Sequence, residues 1–378
     1  MNLNPIINNF QRSIRKVQIC CILILSCTAC SLNIPYENQY SDPDAITTVT
    51  AARELLASAY DAIPKPEFSL SVLSDDFQPT FLINLNADLN NLYKWHPKPM
   101  EDLSNSLWEK YYSAIGIANT VLERIHYVSP ISDSDKQELQ CIVSEAKTLK
   151  AYCYFNLLRL FAPTYPEGPE KDGIILKERF ELAFLKRSSI SECVNAIRQL
   201  LTEAVTVDNR PSQVYWFSRQ SAYYLLAALE LYAENYDKAE EYALKILSST
   251  NAYDVLAPVH YKKLWEQEPC DECIFSLHTT NSYYTDMNYE RKKGDYFTIN
   301  STLTQLYADN DIRYEATVYP QEMPGESIGE TLPVLYLGKY NKQNWNYKPI
   351  QYINKLRVSG ICFILAEAYC QDQKGHDA

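Results

Sequence analysis

The chain has 378 residues and a formal net charge of −12 at pH 7. This surplus of acidic groups repels phosphate backbones and anionic lipid surfaces, which argues against nucleic acid or an anionic membrane surface as partners. Tyrosine is abundant, with 30 residues, and glycine is scarce, with 9. Scarce glycine favours a helical protein with few tight hairpins. Tyrosine-rich surfaces suit recognition, because each ring combines an apolar face with a hydroxyl.

The first 29 residues have the pattern of a lipoprotein signal peptide. Basic residues between 12 and 16 precede an apolar run at residues 17–25, which is shorter than the roughly 20 residues that a membrane-spanning helix needs. Small residues then lead to a cysteine, which predicts cleavage and acylation at that point. Cys30 is the preferred acylation site, with Cys27 as the alternative. A multiply acylated terminus would anchor the chain stably to a membrane.

Seven cysteines follow this leader, an odd number that is too sparse for a disulfide framework. They are Cys141, Cys153, Cys193, Cys270, Cys273, Cys362 and Cys370. Cys153, Cys193 and Cys362 fall at apolar helical positions, where they are expected to be small buried hydrophobes. The pair Cys270 and Cys273 is a lone CxxC without the partner ligands of a zinc site, so no metal or other cofactor is predicted.

The first half of the mature chain reads as a series of helices. Apolar periodicity predicts a helix at residues 50–63, ended by Pro64 and Pro66. Between residues 68 and 106 this periodicity fails, and the segment reads as a long loop. A loop of this length in a compact domain is usually either functional or an error in the assignment of elements. The segment contains Trp95 and the adjacent carboxylates Asp75 and Asp76. Further helices are predicted at 107–125, 141–161 and 189–205, followed by a helical hairpin at 220–247.

These helices are expected to pair as in tetratricopeptide repeats, 50–63 with 107–125 and 141–161 with 189–205. Ser132 to Asp135 can cap the helix that contains 141–161. From residue 251 to 349 the pattern becomes irregular, with short β-like runs at 273–278 and 333–340. A helix resumes at 357–369. The predicted fold is therefore all-α, or α-rich, with a loop-rich second half that contains short β segments.

One stretch in residues 145–165 is more specific than this periodicity. It reads EAKTLKAYCYFNLLRLFAPTY, with one apolar stripe at Ala146, Leu149, Cys153, Leu157 and Leu160. Further apolar and aromatic residues widen the stripe, which predicts a helix buried on most of its surface. The run resembles the signature of the SusD/RagB family of Bacteroidetes outer-membrane lipoproteins. The matching positions are Glu145, Ala146, Leu149, Lys150, Ala151, Tyr152, Tyr154, Phe155, Leu157 and Tyr165.

Two other segments resemble the same family. They are Trp108, Tyr112, Ile115 and Ala118-Asn119 in one helix, and the end of the last helix at Tyr369. The resemblance implies a helical-repeat region at 30–250 and a C-terminal region at 251–378. In the family this second region continues further, so a shortened C-terminus is expected, either as a truncated frame or as a natural short form. Trp108 belongs to the helical signature and is expected in the core.

The residues show no convincing catalytic set, since GxSxG, HExxH and a glycine-rich phosphate loop are all missing from the sequence. Asp75 and Asp76 are adjacent, whereas a glycosidase needs two carboxyls opposed across the scissile bond. The pair is therefore expected to cap or hydrogen-bond the loop. An enzyme is not predicted.

Loop aromatics instead favour sugar binding, because the C–H faces of sugars stack on aromatic rings while amides bind their hydroxyls. Trp95 is the main candidate, and a purely structural Trp95 is the alternative. Weaker candidates are Asn90, Tyr93, Tyr283, Tyr284, Trp345 and Tyr347.

The resemblance implies non-catalytic capture of an oligosaccharide at the cell surface. The partners it implies are the outer membrane, reached through the N-terminal lipid, and a SusC-like TonB-dependent transporter. The alternative is a lipoprotein scaffold whose helical repeats bind a peptide or a protein.

Overall fold

The computed structural model describes residues 46–74, 76–179, 184–250, 252–266, 268–278, 296–325, 327, 329–337 and 352–371. The helices of the first half are α1 (Val49–Ala62), α2 (Glu67–Leu73), α3 (Ala87–Tyr93), α4 (Pro97–Arg124), α5 (Asp133–Phe161), α6 (Ile190–Ala204), α7 (Arg219–Tyr232) and α8 (Tyr236–Leu247). The second half contains α9 (Ala252–Val255), α10 (Pro258–Glu266), α11 (Ser301–Thr304), α12 (Ile312–Thr317) and α13 (Val358–Gln371).

The strands form three small antiparallel pairs. Their bounds are β1 (Phe77–Pro79), β2 (Cys273–His278), β3 (Phe297–Ile299), β4 (Val318–Pro324), β5 (Thr331–Leu337) and β6 (Tyr352–Arg357). β1 pairs with β3, β2 with β6, and β4 with β5. The α-rich prediction with short β segments in the second half is confirmed.

The long helices pack in sequence as the periodicity predicts. α1 lies against α4, and α5 lies between α4 and α6. α7 contacts α6 and forms a hairpin with α8, and α13 then packs on α8. The two predicted helix pairs and the hairpin are therefore confirmed. None of the helices in the described part of the chain combines the length and the apolarity that crossing a membrane requires.

α5 is the central helix of this array, and its first turn is fixed locally. Ser132 Oγ accepts a hydrogen bond from the Asp135 amide, and the Asp135 carboxylate accepts one from the Ser132 amide, which makes a capping box. From Ala146 to Leu158 the helix is buried almost all round, as predicted. Leu160 is an exception to the predicted stripe, because 39% of it is exposed where the helix leaves the core.

Two tyrosines bind the short extended segment at residues 175–177 to α4 and α5. The Tyr112 hydroxyl donates to the Ile175 carbonyl at 2.8 Å and accepts from its amide at 2.9 Å. The Tyr154 hydroxyl makes the same pair of bonds with Lys177, both at 2.7 Å. The two hydroxyls therefore bind the amides and carbonyls of Ile175 and Lys177, which in a sheet would bind a neighbouring strand.

The predicted long loop at 68–106 is wrong. The segment contains α2, β1, a 3-10 helix at Phe81–Leu85, α3 and the first turns of α4. Two of these helices have seven residues each, which is too short to show a repeat with a period of 3.6. Pro97, which suggests a helix break, is instead the first residue of α4, where the missing N–H has no intrahelical partner to lose.

The predictions for the β-like runs, for three cysteines and for Trp108 can also be compared with the structure. The β-like run at 273–278 coincides with β2, and the run at 333–340 overlaps β5, with residues 338–340 outside the described part of the chain. Cys153 and Cys193 are buried as expected, but Cys362 is only half-buried. It lies on α13 beside Phe363, on a face that the neighbouring helices leave partly open. Trp108 packs against the core as predicted, with its ring centre 5.1 Å from that of Phe161.

Candidate functional site

The candidate site is built around the end of α3. Asn86 starts this helix, because its side-chain oxygen accepts a hydrogen bond from the Leu89 amide. At the other end the Trp95 amide donates to the Leu92 carbonyl and the His96 amide donates to the Asn91 carbonyl, both at 2.9 Å. These two bonds are those of a Schellman motif, which places Trp95 at the position that most often holds glycine.

Trp95 adopts the left-handed conformation that this motif demands, with φ of 57°. An L-residue with a bulky side chain is strained there, at a cost of about 1 kcal/mol. The strain is combined with exposure, since 60% of Trp95 is accessible to solvent. The next residue, His96, is extended because Pro97 follows it, and α4 then begins. The indole therefore projects from a rigid turn between two helices rather than from a flexible loop.

The other two candidates on α3 have different environments. Tyr93 is half-buried, and its ring centre lies 5.8 Å from that of Phe297 on β3. It thus takes part in a small second core whose buried members are Val72, Phe77, Ile83, Leu92 and Phe297. Asn90 is partly exposed, and its side-chain nitrogen lies 3.5 Å from Asn84 Oδ1, at the long limit for a hydrogen bond. Its amide is held only weakly and can turn towards a ligand.

The remaining candidates cannot be placed beside Trp95. Tyr283, Tyr284, Trp345 and Tyr347 lie outside the described residues, as do Cys27 and Cys30. Asp75 also lies outside them, whereas the Asp76 amide donates to Ser74 Oγ in a short turn. The roles predicted for the candidate residues outside the described part of the chain stay predictions.

A small cavity belongs to the same part of the fold. It measures about 310 Å³ and lies between the β1–β3 pair and the β4–β5 hairpin. Its lining is mainly apolar, from Ile299, Pro320, Pro333, Val334 and Leu335, with Gln78, Thr298, Ser301 and Thr304 as the polar members. This volume is at the lower end of the range of about 300–1,000 Å³ found for small-molecule pockets. β1 and β3 also carry Phe77 and Phe297 of the second core, so the cavity and α3 share one substructure.

Sequence reasoning missed another aromatic cluster. The ring of Tyr215 lies 5.1 Å from His278 and 6.3 Å from Tyr352, and it is nearly parallel to the latter. All three rings are half-buried. Burial lowers the pKa of His278, which favours its neutral form. His278 and Tyr352 face each other in the β2–β6 pair. The cluster has no local signal, because pairing of distant segments creates it.

Comparison with known proteins agrees with this architecture. A sequence model of the family SusD-like_3, described as "Starch-binding associating with outer membrane", matches residues 35–231. The chain belongs to this SusD-like family, and the resemblance seen in the sequence is confirmed. The family's description associates it with the outer membrane and with starch binding.

One curated relative is SusD-like protein P38 of Formosa agariphila, which is 25% identical over 232 residues. That match covers 59% of this chain and 42% of the relative, so the chain matches less than half of that protein's length.

Solved structures show the same fold. A SusD superfamily protein from Bacteroides thetaiotaomicron superposes with a TM-score of 0.73 at 18% identity, over 88% of this chain and 78% of that one. A SusD-like carbohydrate binding protein from Bacteroides vulgatus gives a TM-score of 0.69 at 18% identity, over 88% of this chain and 73% of that one. At this level of identity the similarity establishes the fold.

Proposed function

We propose that this chain captures a glycan at the outer membrane without altering it chemically and passes it to a SusC-like TonB-dependent transporter. The family description and the carbohydrate-binding structural neighbour support glycan binding. The transporter is the partner that the SusD/RagB resemblance implies. Starch-like oligosaccharides are the first ligands to test, because the family is described as starch-binding.

The observation that carries the proposal is the conformation and exposure of Trp95. A strained, exposed aromatic residue at a glycine-preferring position destabilises the fold, so a functional use of the indole explains it better than packing does. The flat ring offers the stacking surface that sugar C–H groups need. Asn90 on the same helix supplies an amide for hydroxyl groups, and Tyr93 a half-buried ring. Tyr283, Tyr284, Trp345 and Tyr347 are proposed as further contacts.

This arrangement supports binding rather than catalysis. A stacking ring with amide neighbours supplies neither a nucleophile nor an opposed acid and base. The energy of such a site comes from ring contact and hydrogen bonds, which favour reversible capture and release. Hydrolysis products in a binding assay, absent from a heat-denatured control, would contradict the proposal.

Calorimetric titration of the purified chain with a panel of neutral glycans and of peptides tests the binding step. We expect saturable glycan binding that is lost in Trp95→Ala. Tyr127→Ala is the matched control, because Tyr127 is another exposed aromatic residue, with 64% accessible, on the short turn after α4. Binding of peptides alone would replace the proposal by the scaffold alternative. Glycan binding unchanged in Trp95→Ala would remove Trp95 from the site.

Membrane attachment is proposed to depend on acylation of Cys30. In cells fed labelled palmitate, Cys30→Ala should abolish labelling and release the chain from the membrane fraction. Cys27→Ala should leave both unchanged. The reverse result would assign the lipid to Cys27. Co-purification of a TonB-dependent transporter with the acylated chain tests the proposed partner, and its absence under conditions that preserve the membrane would contradict delivery.

A further inference from the structure

A larger, open cavity lies on a part of the fold far along the chain from Trp95. It measures about 600 Å³, well within the range of about 300–1,000 Å³ for ligand pockets. Its walls come from residues 208–214, from the start of α7 and from the end of α8. The start of β2 closes it at Cys273 and Ile274.

The charge of this cavity is opposite to that of the chain. Arg210, Arg219 and Lys245 line it, and Asp208 is the acidic side chain among its lining residues. Asp208 is shared by two arginines, at 2.9 Å from Arg210 Nε and 3.3 Å from Arg219 Nη1. These contacts hold the pKa of Asp208 below its usual range. Three cations therefore face one carboxylate in a protein whose net charge is −12.

Two of the cations converge on one aromatic ring. The guanidinium carbon of Arg219 lies 5.7 Å from the centre of the Tyr223 ring, and the Lys245 ammonium lies 5.8 Å from it. The Tyr223 ring stacks in turn on Tyr242. Both cations lie near the same ring, so their positive potentials add in this part of the cavity. An anion bound there would be attracted by both.

Arg219 is held loosely enough to reach such an anion. Its ion pair with Asp208 is long, at 3.3 Å, and 37% of its side chain is exposed. Its Nε is buried and finds no hydrogen-bond acceptor among the described residues. A buried donor without a partner is unfavourable, so turning the guanidinium towards a ligand breaks little and can satisfy this group. Within the described part of the chain, Lys245 forms an ion pair with Glu241 alone, at 3.5 Å, and Glu241 also binds Lys238 at 2.6 Å.

The other walls suit a sugar. Trp216 contributes an indole whose ring is fixed by the Arg53 guanidinium at 5.0 Å and by the edge of Tyr60 at 5.0 Å. Uncharged polar side chains line the rest, among them Ser212, Gln213, Gln220, Ser248 and Ser249. Amides and hydroxyls of this kind can exchange hydrogen bonds with sugar hydroxyls. The Gln220 amide is held only by a contact of 3.3 Å to Ser249 Oγ, so it can turn towards a ligand.

We propose that this cavity, which we call the α7–α8 cavity, is a second glycan site that selects an anionic sugar residue bearing a carboxylate or a sulfate. Arg219 and Lys245 bind the anionic group, and the amide-rich walls bind the hydroxyls. The choice of a sugar over other anions rests on the proposed glycan-binding function. The positive charge and the loosely held Arg219 do not depend on that function.

The test is calorimetric titration of the purified chain with matched pairs of ligands. An oligogalacturonate is compared with its methyl ester, and a sulfated galacto-oligosaccharide with its desulfated form. We expect at least one anionic member to bind about tenfold more tightly than its neutral partner, as loss of one charge-assisted contact predicts. This preference should weaken with added salt, because the ligand approaches an open cavity. Equal binding of both members of each pair would overturn the proposal.

Variants test which residues produce the preference for the anionic ligand. Arg219→Gln combined with Lys245→Gln should abolish it. Lys136→Gln combined with Lys262→Gln removes the same charge from residues outside the cavity, each also held by one ion pair, and should leave it intact. Unfolding curves check that both double variants fold. A preference that survives in the first double variant would overturn the proposal, as would binding of inorganic sulfate or hexaglutamate as tight as that of the sugar.

Trp95→Ala separates this inference from the proposed function. Loss of neutral-glycan binding with an intact anionic preference supports two independent sites. Neutral-glycan binding at Trp95 without any anionic preference leaves the proposed function standing and overturns the α7–α8 cavity. An anionic preference without neutral-glycan binding leaves the α7–α8 cavity standing and overturns the proposed binding of neutral glycans at Trp95.

Discussion

Arg53 and Glu145 form an ion pair between α1 and α5, with Arg53 Nη1 2.8 Å from Glu145 Oε2. Glu145 is the acidic residue that opens the family-like stretch in α5, and only 1% of its side chain is exposed. The Tyr60 hydroxyl and the Asn209 amide also donate to its carboxylate, at 3.2 and 3.3 Å. Burial raises the pKa of Glu145, and Arg53 partly offsets this rise. The Glu145 carboxylate, neutralised by Arg53, therefore connects α1, α5 and the segment at Asn209 inside the core.

Arg53→Met should lower the free energy of unfolding by about 3 kcal/mol at pH 8, because it leaves the buried Glu145 carboxylate without its cation. The folded-state pKa of Glu145 is already raised, so the folded protein binds this proton more tightly than the unfolded chain does. Acidification through that pKa then neutralises the buried charge. The deficit of the variant should accordingly shrink as the pH falls from 8 to 5.

Urea denaturation of both proteins across this pH range measures the effect. Lys136→Ala serves as the control, since its ion pair with Asp133 is exposed and should contribute less than about 0.5 kcal/mol. A deficit that grows on acidification would contradict the assignment of Glu145 as the stranded group.

Arg198→Lys should destabilise the α6–α7 packing by about 1–2 kcal/mol although it keeps the charge. Arg198 binds the buried Glu230 with two nitrogens, Nε at 2.5 Å and Nη2 at 3.0 Å. A lysine ammonium cannot reproduce this two-point contact and leaves one buried oxygen with Asn235 alone as its partner. Thermal or urea unfolding measures the change. Stability equal to that of the unaltered chain would show that the charge suffices.

The free energy of unfolding of Trp95→Gly should exceed that of Trp95→Ala by about 1 kcal/mol, because glycine adopts a φ of 57° without strain. Urea denaturation of both variants measures this difference. Both variants should lose neutral-glycan binding. Comparing glycine with alanine cancels the contacts that the indole makes, so the difference isolates the backbone. Equal stability of the two variants would mean that the turn relaxes when the indole is removed.

Gly173→Ala should destabilise the chain by about 1–3 kcal/mol, because an added Cβ would lie 2.8 Å from Cys193 Sγ and 3.0 Å from the Ser188 carbonyl oxygen. Gly173 lies just before the segment at residues 175–177 that Tyr112 and Tyr154 bind, so the clash would displace this segment. In a Cys193→Ala background the penalty should fall but not vanish, since the Ser188 oxygen remains. A double-mutant cycle measures this coupling, and a coupling of zero would contradict the geometry.

The sequence was informative wherever a helix was long. Residues 145–165 and the hairpin at 220–247 carry several turns of apolar repeat, so both their existence and their pairing were predictable. It failed at 68–106, where α2 and α3 are two turns long and α4 begins with exposed polar turns. Such helices are stabilised by the second core that they share with β3, and no local pattern records a partner more than 200 residues away.

By itself the sequence determined the helical array, the leader pattern and Trp95 as the residue to test, because each depends on neighbours along the chain. The turn at Trp95 is closed by bonds within residues 91–96, but tryptophan is so unusual at this glycine-preferring position that the residue type conceals the turn. Tertiary structure alone brought Arg219, Lys245 and Trp216 to one cavity, and Tyr215, His278 and Tyr352 to one cluster. Packing of α7 on α8 and pairing of β2 with β6 create these sites. Contacts between distant segments depend on the whole fold, so a local reading of residues could not predict them.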